Sequence, residues 1–322
     1  MRVVASTVVR ESVFGRQETG YVYDVDLDAG TVDSRVPVPA PARPASDANP
    51  RGGIRGGRGV AFTPDGIVLA TYDTLVHYDD GWQVDDIVES PLFAGLHEID
   101  WDGEVLWVTA TAVDALLRID GREVHVAWDP HGDAAVSLGL PSREPGLLER
   151  CQREDAIVPR VDQCHLNGVT RAGESVVVHL GLVRRRSLRD RLGRRLGVAA
   201  SGESIVVRLN GSPHPQILVR LRGGDLPTHN GQFVATGRIA VNDSTTNTVR
   251  IYAAESGAEL LAFPMPGTWL RGLEPLGGGR ALVGTAPAAV HLVDLATGEI
   301  ERTVKLGDDP NEAVHGLAAQ QI

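Results

Sequence analysis

The chain has 322 residues, 42% hydrophobic and 23% charged, with a net charge of −11 at pH 7. This is ordinary composition for a folded protein, and its acidity excludes general nucleic-acid binding, because a phosphate backbone would be repelled. No apolar run approaches the ~18–20 residues that cross a membrane, and two cysteines, Cys151 and Cys164, are too few for a disulfide framework. A cytoplasmic location is therefore expected, with neither membrane nor nucleic acid as a partner.

In chain order, Val3–Val9 is too short an apolar stretch for a leader sequence and reads as a strand. Hairpins follow at Tyr21–Val36, Leu75–Ile87, Leu116–Trp128, Ile205–Leu221, Val249–Phe263 and Val290–Leu306. Each pairs two apolar runs across a turn, and turns such as Asp80-Gly81, Asn210-Gly211 and Thr297-Gly298 suit the positive φ of tight hairpins.

A second strand pair precedes five of these hairpins. Arg58–Phe62 leads to Ile67–Ala70, His97–Trp101 to Val105–Val108, His165–Val169 to Val176–Val178, His229–Phe233 to Ile239–Val241, and Arg271–Pro275 to Ala281–Val283. The first residue and the turn glycine are eight apart in Arg58/Gly66, His165/Gly173, His229/Gly237 and Arg271/Gly279, whereas His97/Gly103 has a shorter turn. His315–Ala319 supplies a lone inner strand, which Val3–Val9 and the first hairpin complete. The unit length of about 40–45 residues is the propeller period, and joining the two half-repeats removes exposed sheet edges. The expected fold is all-β, a six-bladed β-propeller with four strands per blade, its last blade closed by N-terminal strands plus the C-terminal strand. Residues 1–322 are expected to form one domain with lid-like insertions at 129–164 and 182–201.

In a propeller the innermost strands line the channel, so Arg58, His97, His165, His229, Arg271 and His315 form a ring at its mouth, one per blade. Four of the ten histidines share this position. Imidazole is the commonest ligand of transition metals, so His97, His165, His229 and His315 are expected to be metal ligands. With no carboxylate in the ring, Fe(II) is the first expectation, with Zn or Cu as alternatives, rather than Ca or Mg. Arg58 and Arg271 suit a carboxylate or phosphate on a substrate, dividing the ring into a metal-binding arc of His97, His165 and His229 and an anion-binding arc with His315. Asn167, Asn230 and Trp269 are expected to complete the substrate site. His179, Asn242 and Asp243 are candidates for supporting contacts, as are His131 and Asp162, whereas His77, His125 and His291 read as structural.

The first insertion contains Cys151, Cys164 and a short helix expected near Pro145–Asp155. The second carries Arg184, Arg185, Arg186, Arg189, Arg191, Arg194 and Arg195, with Leu188, Leu192 and Leu196 at helical spacing. A solvated face is the simplest reading of that run. No nucleophile elbow, phosphate loop, dinucleotide fingerprint or HExxH occurs.

This repeat pattern resembles the gluconolactonase and strictosidine-synthase-like group of six-bladed propellers along the whole chain. Gluconolactonases hold their channel metal with carboxylates and asparagines, so the His/Arg ring does not carry their calcium-dependent lactonase chemistry. Leu96-His97-Glu98-Ile99, Cys164-His165-Leu166-Asn167-Gly168 and Pro227-Thr228-His229 are similar to motifs of an uncharacterised bacterial propeller family, which implies fold and site but no reaction. Four-histidine iron in a channel also resembles the carotenoid-cleaving oxygenases, although those have seven blades.

The function expected is a metal-dependent enzyme, whether oxygenase, lyase or hydrolase, acting on a small anionic or polar metabolite. The alternative is a non-catalytic propeller that binds a small ligand or a partner protein. The sequence leaves the oligomeric state open.

Overall fold

The computed structural model describes residues 1–10, 18–39, 56–156, 158–183, 202–211, 214–222 and 226–320. Strands β1 (Arg2–Val9), β2 (Tyr21–Asp26) and β3 (Thr31–Pro37) come first. Blade 1 comprises β4 (Val60–Thr63), β5 (Gly66–Ala70), β6 (Thr74–Tyr78) and β7 (Val84–Glu89). Blade 2 comprises β8 (Leu96–Trp101), β9 (Leu106–Ala110), β10 (Ala115–Asp120) and β11 (Glu123–Trp128), and is followed by helices α1 (Ala135–Leu138) and α2 (Leu147–Arg153). Blade 3 comprises β12 (Leu166–Ala172), β13 (Ser175–Val183), β14 (Glu203–Leu209) and β15 (Gln216–Arg222). Blade 4 comprises β16 (His229–Ala235), β17 (Arg238–Asp243), β18 (Thr248–Ala253) and β19 (Glu259–Pro264). Blade 5 comprises β20 (Thr268–Gly277), β21 (Arg280–Ala286), β22 (Ala289–Asp294) and β23 (Ile300–Lys305). The last strand, β24 (Glu312–Ala319), pairs with β1, giving a sixth sheet in the order β24-β1-β2-β3.

The fold is thus an all-β six-bladed propeller of four-stranded antiparallel sheets, closed by β24. The inner strands neighbour one another in a circle, from β4 through β8, β12, β16, β20 and β24 back to β4. Each of six apolar clusters fills the seam between two consecutive blades. Val68, Leu75 and Val88 of blade 1, for example, pack on Leu96, Val108 and Leu117 of blade 2. Val177, Val206 and Val219 of blade 3 likewise meet Ile239 and Val241 of blade 4. Sheet faces that would be wet in isolation are buried only by their neighbours, which is why the repeats need a closed circle.

The inner strands do not start uniformly at the ring residues. His229 begins β16, Arg58 and His165 precede their strands, and Arg271 and His315 are fourth in theirs. What they share is a β-bulge. The pairing slips between Leu96 and Ile99, Leu166 and Gly168, His229 and Gln232, Thr268 and Arg271, and opposite Ser6/Thr7 at His315. In blade 1, Arg58 and Gly59 both bond to Ala70. A bulge bends the strand and re-aims side chains, so each blade turns its ring residue toward the axis. Close approach follows: a Cβ on Gly59 would strike the His97 carbonyl, and one on Gly316 the Arg58 carbonyl.

The first insertion folds against blade 2. Leu148 and Cys151 of α2 join the seam between blades 1 and 2, and Ala135 and Leu138 of α1 join the next seam. α2 occurs within the stretch expected to be helical, whereas α1 was not foreseen from the sequence. The Arg-rich residues 184–195 lie outside the described residues. Among the described residues, no helix is long and apolar enough to cross a membrane.

Two buried features anchor the scaffold. Glu312, 1% exposed, accepts hydrogen bonds from the Thr7 hydroxyl (2.7 Å) and the Tyr23 hydroxyl (2.8 Å), tying β24 to β1 and β2. His179, fully buried, accepts from the Gly231 amide at Nδ1 (3.0 Å) and meets Ser204 and Thr228 at Nε2 (2.8 and 3.0 Å), stitching blade 3 to blade 4.

Glu312→Ala removes the acceptor of the buried Tyr23 hydroxyl and the shorter of two acceptors of Thr7, and should lower unfolding free energy by about 2 kcal/mol in denaturant titration, with Glu312→Gln recovering most of it. Burial also depresses two imidazoles, His179 to about 3 and His291 to about 4. Between these values and the unfolded pKa of about 6.5, the unfolded chain binds protons that the folded chain refuses. Stability should therefore fall as pH drops from about 6.5 toward 4, and His291→Gln, measured by Tm against pH, should flatten that slope.

Candidate metal centre

His97, His165 and His229 converge from blades 2, 3 and 4. One nitrogen from each lies within 4.8 Å of the others. Their ring centroids are 5.3 Å apart for His97–His165, 6.0 Å for His165–His229 and 6.3 Å for His97–His229. His97 and His229 are 6% and 2% exposed, and His165 is partly buried.

The hydrogen bonds around the rings determine which nitrogen carries the proton. His229 Nδ1 is 3.2 Å from Ser244 Oγ, whose own proton goes to the Leu270 carbonyl (2.8 Å). Ser244 therefore accepts, and His229 is protonated at Nδ1. His165 Nδ1 faces the Asp162 carboxylate at 3.1 Å, with the same result. His97 Nδ1 faces the Gly95 carbonyl (3.0 Å) and the Thr111 oxygen (2.9 Å), and Thr111 donates its proton to Leu166 O (2.5 Å). Arg58 Nη1, which carries two hydrogens, lies 2.9 Å from the same nitrogen and donates at 2.7 Å to Leu96 O, so Nδ1 of His97 meets a donor as well as acceptors. His165 and His229 thus each keep a lone pair at Nε2. At both residues that atom is buried with no hydrogen-bond partner among the described residues. Leaving a buried nitrogen unpaired is costly unless something else meets it.

Burial first, and then Arg58, His315 and His165, holds His97 well below its ordinary pKa; burial and then Arg271 do the same for His229. Both stay neutral, which is the ligating form of imidazole. Three converging imidazoles, each with its Nδ1 engaged by neighbouring groups, could hold a transition metal.

His315 lies beside this group, 5.2 Å from His97 between ring centroids. Its Nε2 takes a hydrogen bond from Arg271 Nη1 at 3.1 Å, which occupies the lone pair a metal would need. Arg271 in turn stacks on Trp269, which also carries Arg10 on its ring at 3.8 Å. Trp269 has φ 56°, an outlier for so large a residue. Arg58 is 4% exposed and is turned to His97, with Tyr72 under its guanidinium.

Carboxylates, which the ring positions lack, line the channel just beyond the imidazoles. The cavity, about 610 Å³, is bordered by Glu98, Asp100, Glu274, Arg171, Phe62 and Phe233 among others. Burial pushes Glu98 up to about 7, against a hydrogen bond from Asn230 and the fields of Arg271 and Arg58. Burial also raises Asp100 to about 6 and Glu274 to about 8. The bulge explains why alternation misses Glu98: two successive residues, His97 and Glu98, both turn toward the axis.

The remaining candidates divide. Asn230 lines the cavity, whereas Asn167 donates to Thr228 O (2.8 Å) and Asn242 to Gly272 O (3.1 Å), bracing adjacent blades. Asp243 pairs with Arg250 at 3.0 Å in a surface turn away from the ring. His125 is half exposed, and His291 is held between Thr285 and Thr303. Cys151 sits in one seam and Cys164 in another, both as free thiols. Asp114, His131 and Cys164 form a second cluster of potential ligands, all buried, that the sequence did not single out as a group.

No family model and no curated sequence matches the chain. Solved structures match its fold. A chain from the crystal structure of a nidogen/laminin complex is 11% identical with TM-score 0.61, over 98% of this chain and 97% of that one. A protein of unknown function from Bacteroides caccae is 10% identical with TM-score 0.57, over 98% of both chains. A streptogramin B lyase is 11% identical with TM-score 0.49, over 84% of this chain and 72% of that one. At such identities the likeness extends to the propeller fold alone.

Proposed function

We propose that the channel mouth is a transition-metal centre and that the protein is a metal-dependent enzyme acting on a small anionic or polar metabolite. The observation that carries this reading is the convergence of three imidazoles, one nitrogen of each within 4.8 Å of the others, with Nδ1 of His165 and His229 held by an acceptor and their Nε2 buried without a partner among the described residues. Hydrogen bonding alone would not strand two of those atoms in a buried cluster. The all-nitrogen donor set fits Fe(II) first, and Zn or Cu next. A bound metal of this kind supplies Lewis acidity or oxygen activation at its open position.

The chain's own groups surround that position asymmetrically. Arg271, partly exposed on Trp269, presents positive charge for a carboxylate or phosphate. Glu98, with its pKa near 7, holds or releases a proton on the channel side. The cavity beyond it takes the rest of a small molecule. The acidic lining further down favours a substrate that is anionic at one end only.

A purely partner-binding propeller would need no inward-facing imidazole cluster, and the two readings separate experimentally. Untagged protein purified without chelator should contain about one transition-metal ion per chain by elemental analysis. His165→Ala and His229→Ala should each lose most of that metal while retaining the β-sheet circular dichroism of the parent. Metal-free wild-type protein that takes up neither Fe(II), Zn nor Cu sinks the proposal. Arg271→Ala, once a substrate is in hand, should raise KM at least tenfold for the anionic compound and much less for its neutral ester.

A further inference from the structure

The turn Thr111-Ala112-Val113-Asp114 links β9 to β10 and ends with Asp114 at φ 47°. It contacts the supports of two of the three imidazoles. Thr111 Oγ1 faces His97 Nδ1 and donates to Leu166 O, the residue after His165. The Asp114 carboxylate, fully buried, accepts from the backbone amides of Gln163 (2.5 Å) and Cys164 (3.1 Å) on one oxygen. The Leu166 amide approaches the other oxygen at 3.4 Å. These amides bracket His165, which has φ 50°, a left-handed conformation uncommon for a residue with a side chain.

Asp114 has a further donor from the insertion. His131 Nε2 lies 3.0 Å from the same oxygen that receives Gln163 and Cys164. Its Nδ1 lies 2.8 Å from the Pro141 carbonyl, which can only accept. Both ring nitrogens of His131 therefore face acceptors, and the ring links the carboxylate to the insertion. Arg143 braces the same insertion, donating to Val113 O and pairing with Asp129 at 3.3 Å. This crowding also settles what the Asp114, His131 and Cys164 cluster does. One oxygen already meets three hydrogen-bonding groups, Gln163 N, Cys164 N and His131 Nε2, so the cluster is tied together by hydrogen bonds within the protein.

We infer that Asp114, held by His131, is a positioning residue of the metal centre: it fixes His165 in its left-handed conformation, while Thr111 of the same turn braces the His97 ring against Leu166. The inference rests on the metal reading for its functional meaning, but its structural half can be tested without a metal. The insertion thereby becomes part of the centre, because His131 cannot hold Asp114 unless the insertion is folded.

The test uses Co(II) titration of chelator-stripped full-length protein, followed by visible absorption, on wild type, Asp114→Ala, Asp114→Asn, His131→Gln and the seam variant Val290→Ala. Asp114→Ala should weaken Co(II) binding 10- to 100-fold, the range found when outer partners of metal ligands are removed. Asp114→Asn and His131→Gln should fall in between. Val290→Ala should lower Tm yet bind Co(II) like wild type, which separates positioning from general destabilisation. In parallel, the ring 15N signals of His165 in metal-free protein should move in the Asp114 and His131 variants, while those of His291 stay in place. Should Asp114→Ala fail to fold, the two milder variants carry the comparison. Wild-type affinity in both, with unchanged His165 signals, overturns the inference. If wild type itself takes up no Co(II), the metal reading fails, and the His165 signals alone decide whether Asp114 positions that ring.

Discussion

The bulge at the head of the inner strands is the constraint on which the site depends. A regular strand alternates its side chains, so only every second residue would meet the channel, and a six-fold ring would present a thin band of isolated groups. By opposing two residues to one, the bulge brings consecutive side chains such as His97 and Glu98 to the same side and bends the strand toward the axis. The same irregularity brings neighbouring backbones so close that glycine follows the ring residue in blades 1 and 6, at Gly59 and Gly316.

Electrostatics then divides the ring. Placing guanidinium groups beside imidazoles would be wasteful if the imidazoles had to be charged. Here the arginines and burial act together to keep His97 and His229 neutral. Arg271 takes the lone pair of His315, so the fourth imidazole belongs to the cationic side of the mouth rather than to the nitrogen cluster. On the far side of the imidazoles the sign reverses, with Glu98, Asp100 and Glu274 along the cavity. A small molecule entering the channel thus meets positive charge first, then neutral donors, then carboxyl groups whose ionisation burial resists.

Much of this was legible in the amino acids. The eight-residue interval from Arg58 to Gly66, repeated at His165, His229 and Arg271, located the inner strands and their ring residues, because turn geometry and strand length repeat even where side chains do not. Grouping His97, His165 and His229 required only that register. Other features had no local signature. Glu98 was hidden by the assumption of alternation. Asp114 and His131 are separated by 17 residues and meet only because the insertion doubles back over blade 2. The lack of carboxylates in the ring was read as a lack of carboxylates in the site, although Asp162 and Glu98 both border it. His315 shares its ring position with the other histidines, and nothing in its spacing foretells that Arg271 would occupy its nitrogen.

The way the circle is closed bears on how the protein is made. β24 occupies an inner position, yet it is synthesised after every other strand, and its contacts with β1 span some 310 residues, as between Ser6 and Gly316. Blades 2 to 4 carry all three clustered imidazoles on a contiguous stretch and can assemble from near neighbours. The partners of Arg271 and the bond between Glu312 and Thr7 wait for the last strand to dock. Until then β1 exposes an unpaired edge on a growing chain, the kind of edge that invites wrong partners. Long-range closure of this sort slows folding, and the edge of β1 is covered only when β24 docks.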